Sequence, residues 1–394
     1  MARGFYTLLI AQFLSALADN ALLFAAIALL KEMDAPSWHQ PLLLQFFVIS
    51  YIVLAPFVGP FADALPKGRV MLIANSIKLV GCIAMIMGMP ALYAYGIVGA
   101  GAATYSPAKY GILTEFLPSN KLVSANGWME GSTVIAIILG AIIGGVMASD
   151  NPHVAMLAIA LMYLLAAIFN LFIPKLAKNH AIESKSPLYM LKDFYHSCAA
   201  LWRDPEGQVS LSVTTLFWGA GATLRLVVIA WAGIALSFSF EQATQLTAMV
   251  ALGITFGAII AAKKISLENS VKVLPAGILM GFMVIAMIFV SNWLFAAFVL
   301  LLIGILSGFF VVPLNALLQH RGHILVGPGH SIAVQNFNEN LGILLLSGAY
   351  TLMVKANLHM NLIVIIFGLF VILSMSFINR LYRYQINKAM KNSA

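Results

Sequence analysis

The chain alternates between long apolar runs and short polar connections along its whole length. Twelve of the runs are long enough to cross a bilayer as α-helices, which requires about 20 predominantly apolar residues. Apolar positions are continuous within each run, whereas strands of a membrane β-barrel alternate apolar and polar residues over about ten positions. The pattern therefore predicts an all-α membrane protein with twelve transmembrane helices, at 5–30, 41–65, 70–89, 91–113, 123–148, 153–174, 208–235, 242–262, 271–291, 293–318, 330–354 and 359–379.

One long polar connection, 175–207, separates the sixth run from the seventh. It is basic and contains an amphipathic stretch from Leu188 to Trp202, which we expect to lie along the cytoplasmic face beside anionic lipid. The sequence thus predicts two pseudo-symmetric six-helix bundles, 1–174 and 208–394, with this connection as a cytoplasmic interdomain loop.

Composition and charge support this organisation. Hydrophobic residues make up 61% of the 394 positions and charged residues 9%, against about 25% charged residues in a soluble globular protein. The net charge of +8 comes largely from basic residues in short loops on alternate sides of successive spans. This distribution follows the positive-inside rule, so we expect both termini in the cytoplasm and no nucleic-acid partner.

Motifs for enzymatic or cofactor chemistry are missing from the sequence. It has no Gly-x-x-x-x-Gly-Lys-Ser/Thr phosphate loop and no His-x-x-x-x-Asp acyltransferase pair. His320 and His323 lack a third metal ligand, and the two cysteines, Cys82 and Cys198, support neither a disulfide framework nor a metal site. We therefore expect a protein that is not an enzyme and holds neither a cofactor nor a metal.

Two charges lie deep inside predicted spans, Asp19 in the first and Arg225 in the seventh. A charge at the centre of a membrane helix costs roughly 2.5–3.5 kcal/mol on insertion scales, so such residues usually face a protein interior or a water-filled path. The planar fork of arginine suits phosphate or carboxylate. Three roles are open for Asp19: binding an ammonium group, neutralising Arg225, or accepting a proton. We expect both residues to line a substrate path, with a purely structural ion pair as the alternative.

Other polar residues inside the spans have less specific interpretations. Asn20 follows Asp19 but lies about 100° round the helix. Lys109, near the cytoplasmic end of the fourth span, can snorkel to the headgroups or serve a gate. Glu130 can pack helices, hydrogen-bond at a gate or contact substrate, while Lys78, two turns into the third span, is expected to snorkel. The candidate substrate-binding set is Asp19, Arg225, Asn20, Glu130 and Lys109.

Features of the first half recur in the second. Asn126 and Glu130 in the fifth span match Gln335 and Glu339 in the eleventh, and the spacing of four puts each pair on one helix face. Prolines are expected to mark the cytoplasmic ends of the fourth and tenth spans, at Pro107 and Pro313. Two six-helix halves with internal repeats are the architecture of a secondary transporter, whose substrate binds near the midplane.

The loop after the second span carries Gly59-x-x-x-Asp63, followed by Lys67 and Arg69. We expect Asp63 to contact the end of the next helix, as a gate, and Lys67 and Arg69 to anchor at the membrane interface. An ordinary basic loop is the alternative. The gating or structural set is Gly59, Asp63, Lys67, Arg69, Glu339, Gln335 and Asn126.

Glycine pairs at four-residue spacing recur along the predicted spans. Such small residues permit close approach of helix backbones. In the fifth and eighth spans close approach would let the two halves rock, and tight packing alone is the alternative. The pairs are Gly140 and Gly144, Gly253 and Gly257, Gly277 and Gly281, and Gly304 and Gly308.

With the loop at 59–69 and the stretches 105–111 and 217–221, the chain resembles the major facilitator superfamily. Within that superfamily it closely resembles the bacterial lysophospholipid transporter family, on the stretches 11–16, 19–24, 309–319 and 332–336. The loop departs from the superfamily pattern by one extra residue between Asp63 and Gly68-Arg69, and its counterpart around Gly257 lacks the acidic residue.

The resemblance implies a transporter in the bacterial inner membrane that works by alternating access. Its substrates would be lysophosphatidylethanolamine and lysophosphatidylglycerol, moved from the periplasmic to the cytoplasmic leaflet. A cytoplasmic-side acyltransferase/acyl carrier protein synthetase would then re-acylate them, so the expected partners are the lysophospholipid, membrane lipids and that enzyme. Arg225 would take the phosphate and Asp19 the ammonium. The alternatives are a proton-coupled exporter of amphiphilic small molecules, and a membrane platform that recruits the acyltransferase through 175–207.

Overall fold

The structure is a computed structural model that describes residues 3–34, 39–174, 186–238 and 240–393. These residues form thirteen α-helices and three 3₁₀ segments, with no β-strand among them, which confirms the predicted all-α fold. The 3₁₀ segments are Ser119–Lys121, Leu267–Val273 and Met287–Phe289. The helices are α1 Arg3–Glu32, α2 His39–Ala64, α3 Lys67–Ile86, α4 Ala91–Phe116, α5 Leu122–Asp150, α6 Pro152–Leu171, α7 Pro187–Arg203, α8 Pro205–Leu236, α9 Phe240–Lys264, α10 Leu274–Ala286, α11 Trp293–Leu325, α12 Pro328–Lys355 and α13 Met360–Ser393.

Every predicted apolar run corresponds to a helix, and the additional helix, α7, lies in the polar connection. Among the described residues, ten stretches are long and apolar enough to cross a membrane, so this is a multi-pass membrane protein. α4 and α12 fall outside that group. In α4, Gly, Ala and Tyr lower the mean hydropathy, and in α12 the polar stretch 335–340 interrupts the apolar run. Most of α4 is buried against other helices, which reduces its need for apolar side chains. The cytoplasmic placement of both termini stays a prediction.

The described chain forms two compact units. The first contains Met1–Leu117, Ser132–Cys198 and Gly322–Phe337. The second contains Pro118–Gly131, Ala199–Arg321 and Asn338–Ala394. Each unit thus includes a short segment from the other half of the sequence. The boundaries predicted from the polar connection stay a prediction, and residues 175–185 of that connection lie outside the described residues.

Small residues allow close helix packing in the first unit. Ala18, Ala21 and Ala25 of α1 are fully buried in its apolar core. A Cβ added at Gly144 of α5 would lie 2.6 Å from Ala21 Cα, so the two backbones touch there. Gly81 of α3 is similarly tight, with its ideal Cβ 3.0 Å from the Ala94 carbonyl oxygen of α4.

The second unit contains an even closer approach, between α9 and α11. A Cβ at Gly257 would lie 2.0 Å from the carbonyl oxygen of Ile305, and one at Gly308 would lie 2.1 Å from that of Ile254. Gly253 and Gly304 meet one turn away in the same reciprocal manner. The close approach predicted from these glycine pairs is confirmed. Rocking of the two halves stays a prediction.

The expectation that two prolines mark helix ends is wrong. Pro107 lies inside α4, which continues to Phe116, and Pro313 lies inside α11, which continues to Leu325. Proline is tolerated inside membrane helices because neighbouring helices and side chains satisfy the freed backbone groups. Residues after both prolines can therefore still present side chains at helical spacing.

Candidate functional site

Asp19 of α1 is held by two donors from other helices of the first unit. Lys78 Nζ of α3 lies 2.6 Å from Asp19 Oδ2, and the Tyr163 hydroxyl of α6 donates to Asp19 Oδ1 at 2.8 Å. Lys78 also donates to the Ser15 hydroxyl at 3.0 Å, and Ser15 donates to Asn75 Oδ1 at 2.7 Å. Both carboxylate oxygens of Asp19 are therefore engaged. The sequence left Arg225 as one possible counter-ion of Asp19, whereas in the structure the counter-ion is Lys78.

Lys78 does not snorkel, and that expectation is wrong. Its side chain is 1% exposed, against 20% for Asp19. α3 begins at Lys67, eleven residues earlier, which places Lys78 about 16 Å along the helix. Gly101 of α4 makes room for the lysine, since a Cβ there would lie 2.6 Å from Lys78 Cγ. One turn further along α4, the Tyr105 ring centroid lies 4.8 Å from Lys78 Nζ.

Arg225 presents the opposite case. It lies well within the length of α8, far from either end, and its side chain is exposed, whereas the adjacent Thr223 and Leu224 are buried. Within the described ranges, its guanidinium makes no hydrogen bond or ion pair with another residue. Gly221, one turn earlier on the same side of α8, is also exposed, and no atom lies within 4 Å of its ideal Cβ. The five donors of Arg225 are thus open beside a small residue.

Two other proposed substrate residues have contacts of their own in the first unit. The Asn20 amide donates to the Ala16 carbonyl of its own helix at 2.8 Å, and its Cβ packs beside Gly140 of α5. Lys109 is buried in α4, with Nζ 4.4 Å from the Tyr110 ring centroid. The structure does not place either side chain beside the Asp19 carboxylate. Their roles in binding stay predictions.

Glu130 belongs to a polar ladder between α5 and α11 in the second unit. Asn126 and Gln319 exchange two amide hydrogen bonds, at 2.9 and 2.8 Å. One turn along, Asn315 donates to Glu130 Oε1 at 3.2 Å. All four are buried, so the predicted shared face of Asn126 and Glu130 meets a matching spacing of four on α11. Their counterparts on α12 are also buried, Gln335 and Glu339.

Asp63, at the end of α2, caps the start of α12. Its Oδ1 accepts from the Gly329 backbone N–H at 2.7 Å and its Oδ2 from the His330 backbone N–H at 3.1 Å. Gly327, which precedes α12, has no side chain to serve as an N-cap, so Asp63 supplies the missing acceptor from another helix. A Cβ at Gly59 would lie 2.9 Å from His330 Cα, which explains the small residue one turn before Asp63. Asp63 therefore contacts two helix ends, the start of α12 and, through Lys67, the start of α3, which is the next helix in the chain.

Lys67 does not anchor at the interface, and that expectation is wrong. Its ammonium lies 2.6 Å from Asp63 Oδ1 and 3.3 Å from Glu115 Oε1, and its side chain is buried. Two nearby carboxylates stabilise a charge that would otherwise be desolvated. Arg69, two residues on, is exposed, as an interfacial anchor requires.

Asp63, Lys67 and Glu115 form a charged cluster, and His330 connects it to α7. Its Nδ1 lies 2.6 Å from Asp63 Oδ2 and its Nε2 lies 2.9 Å from Asp193 Oδ2. An imidazole donates from both nitrogens only as the imidazolium, so a charged His330 joins the two carboxylates. Phe194 of α7 packs edge-on against Phe337 of α12, with ring centroids 5.5 Å apart. The amphipathic helix is therefore attached to the start of α12 by both charge and aromatic contact.

Sequence reasoning missed Glu115, Tyr163, Asp193 and His330. Each is separated from its partner by at least 40 positions along the chain, so no local spacing indicates the contact. Lys78 carried one usable signal, because a helix starting at Lys67 places it too deep to snorkel. Within the described residues, no group of three His, Cys, Asp or Glu side chains is arranged to hold a metal ion.

Comparisons with known proteins give consistent matches. The profile of the Major Facilitator Superfamily matches residues 8–347. The lysophospholipid transporter LplT of Yersinia enterocolitica is 49% identical over 356 residues, which cover 90% of this chain and 88% of that protein. The protein of the same name from Serratia proteamaculans is 48% identical over 357 residues, which cover 90% and 89%.

Solved structures resemble the fold at low sequence identity. A bacterial homologue of the iron transporter ferroportin, in an outward-facing state, superimposes with a TM-score of 0.76 at 14% identity, covering 97% of this chain and 99% of that one. The transporter FucP, in the outward conformation, gives a TM-score of 0.74 at 14% identity, with 97% and 98% covered.

Proposed function

Because this chain belongs to the major facilitator superfamily, and is therefore a transporter rather than an enzyme, we propose that its substrates are lysophospholipids. It moves lysophosphatidylethanolamine and lysophosphatidylglycerol from the periplasmic to the cytoplasmic leaflet of a bacterial inner membrane. The name of relatives that are 48–49% identical supports the substrate class. A cytoplasmic-side acyltransferase/acyl carrier protein synthetase then re-acylates the lipid.

The observation that carries this proposal is Arg225, which is exposed and has no hydrogen-bond or ion-pair partner among the residues that the structure describes. An arginine inside a membrane helix without a counter-ion is costly unless it meets water or an anionic ligand. Its planar fork can bind a phosphodiester through two parallel N–H···O bonds. A lysophospholipid supplies that phosphodiester together with a single acyl tail, which suits an apolar protein surface in contact with lipid.

The first unit has a polar group of its own for a headgroup, Asp19. Its carboxylate is the partly exposed member of the Asp19–Lys78 pair, so it can still accept a hydrogen bond from an ammonium or a hydroxyl group. Ethanolamine headgroups supply the ammonium and glycerol headgroups supply hydroxyls. The Asp63 cap on α12 supports a gate, since alternating access requires contacts that are made in some states and broken in others.

Transport in proteoliposomes tests the proposal. Purified protein is reconstituted with each labelled lysophospholipid, and the fraction that changes leaflet is followed over time. Arg225→Ala should abolish transfer, and Arg225→Lys should leave a small residual rate because a point charge lacks the bidentate fork. Arg383→Ala is the matched control, since that arginine is exposed in the C-terminal part of α13, belongs to no candidate set and should keep the wild-type rate. Unchanged transfer by Arg225→Ala would overturn the headgroup role.

The same vesicles distinguish the proton-coupled exporter. An amphiphilic cation replaces the lysophospholipid and the internal pH is recorded. Proton flux driven by that cation, without lysophospholipid transfer in the wild-type protein, would replace the proposed function with export.

A further inference from the structure

We propose that Lys78 is a specificity-determining residue that neutralises Asp19, so that one site accepts both zwitterionic and anionic headgroups. The inference rests on the proposed function and adds a reason for its substrate range. The sequence does not place Lys78 among the candidate substrate-binding residues and predicts that its ammonium snorkels to the lipid headgroups. The structure places that charge directly behind Asp19 instead.

The geometry gives the two charges different tasks. Lys78 is 1% exposed and its ammonium is directed to Asp19 Oδ2 and the Ser15 hydroxyl, so it does not reach a ligand. Asp19 is 20% exposed and is the member of the pair that a ligand can contact. Asp19, the more exposed residue, thus presents hydrogen-bond acceptors to a ligand, while the buried Lys78 cancels the negative charge of Asp19.

The surroundings of Lys78 hold it in this position. Gly101 leaves space for the lysine stem, and the Tyr105 ring lies 4.8 Å from its ammonium. Tyr163 donates to Asp19 and its ring lies 5.9 Å from Lys78 Nζ, so the same tyrosine contacts both charges. Three helices besides α1 therefore contribute to a single neutral pair. Among the described residues, no other lysine or arginine forms an ion pair with Asp19.

Charge balance connects the pair to headgroup choice. Lysophosphatidylethanolamine has one phosphate and one ammonium and is neutral overall, whereas lysophosphatidylglycerol carries a net negative charge. A carboxylate without its lysine would repel the second lipid and attract the ammonium of the first. Two unit charges some 6 Å apart at an effective dielectric constant of about 20 change affinity by about 100-fold. With Lys78 in place this discrimination is absent.

The experiment measures the ratio of lysophosphatidylglycerol to lysophosphatidylethanolamine transfer rates in proteoliposomes. Lys78→Met removes the charge and keeps the length, and it should lower the ratio by about tenfold or more. Asp19→Asn leaves the lysine charge uncompensated and should raise the ratio. The double variant Asp19→Asn with Lys78→Met is neutral again and should return the ratio to within about twofold of wild type. Lys78→Arg keeps the charge and should keep the ratio.

A purely structural lysine predicts something else, namely that both rates fall together and the ratio stays constant. A constant ratio across Lys78→Met, Asp19→Asn and the double variant would overturn the inference. If Lys78→Met alone does not yield folded protein by size-exclusion chromatography, Asp19→Asn decides the matter, and the neutral double variant is the control that shows whether the protein folds without either charge. A ratio that stays constant in Asp19→Asn would then overturn it.

Wild-type behaviour separates this inference from the proposed function. Transfer of neither lipid by the wild-type protein would reject the proposed function itself. Transfer of lysophosphatidylethanolamine alone would be consistent with lysophospholipid transport but would overturn the inference that the site is neutral. A site in which Lys78 neutralises Asp19 should not repel the anionic glycerol headgroup.

Discussion

Replacing Asp63 by asparagine should uncap α12, and the effect can be read at two backbone amides. The first amides of a helix have no partner within it, and the residue before α12, Gly327, cannot provide one. Asp63 accepts from the N–H groups of Gly329 and His330 and also from Lys67 Nζ and His330 Nδ1. These four donors divide evenly between its two oxygens.

Asparagine keeps the shape of the side chain but replaces one acceptor by an NH₂ donor. Whichever way the amide turns, two of the four donors then face another donor. A hydrogen bond to a charged group contributes about 1.5–3 kcal/mol, and removing one member of a buried ion pair costs about 3–5 kcal/mol. The first figure corresponds to a rise of roughly 10- to 100-fold in the exchange rate of an amide that loses its acceptor.

Hydrogen–deuterium exchange of detergent-solubilised protein measures this rate, with overlapping peptides that isolate residues 329 and 330. The matched control is Asp193→Asn, because Asp193 contacts His330 only through Nε2 and accepts from neither amide. Asp63→Asn should accelerate exchange at whichever of the two amides faces the new NH₂ group, while Asp193→Asn leaves both near wild type. Equal exchange in wild type and Asp63→Asn would refute the cap, as would the same acceleration in the control.

Two further predictions concern packing in the second unit. Gly257→Ala should lower the thermal midpoint of unfolding because its Cβ would lie 2.0 Å from the Ile305 carbonyl oxygen. Overpacking costs about 1–3 kcal/mol, against a helix-propensity gain of about 1 kcal/mol. Gly348→Ala is the control, because no atom lies within 4 Å of its ideal Cβ; it should not lower the midpoint, and an equal fall in both variants would contradict the close approach. Asn126→Leu should destabilise by about 1–3 kcal/mol because it leaves the buried Gln319 amide without its partner, whereas adding Gln319→Leu should recover part of that loss. Strictly additive losses in denaturant or thermal unfolding would show that the two amides do not form a coupled pair.

The apolar runs alone were enough to predict the all-helical membrane fold. α5 and α11 each came within a few residues of their predicted starts, because a membrane helix satisfies its own backbone and must be apolar wherever it meets lipid. α4 and α12 show the limit of that rule, since both are less apolar than a lipid-facing helix. Their apolar runs predict both as spans, although Gly, Ala and Tyr lower the hydropathy of α4 and polar residues lower that of α12.

The candidate site was partly predictable. The depth of Asp19 in its run identified it as a functional candidate, and the spacing of Gly59 and Asp63 indicated contact with a helix end. The partners were not predictable, and Lys67 and Lys78 were both assigned to the membrane interface although they are buried ion-pair members. A lysine near a helix end has the same local sequence whether it reaches the headgroups or a carboxylate on another helix.

Hydropathy along the chain predicts which segments can cross the bilayer and which of them contain a charge that must be compensated, because both depend on transfer of a local stretch from water to lipid. Tertiary structure decided how each charge is compensated: Lys78 for Asp19, the start of α12 for Asp63, and no described residue for Arg225. The physical reason is that hydropathy is additive along the chain, whereas an ion pair depends on a few ångströms between helices that are far apart in sequence.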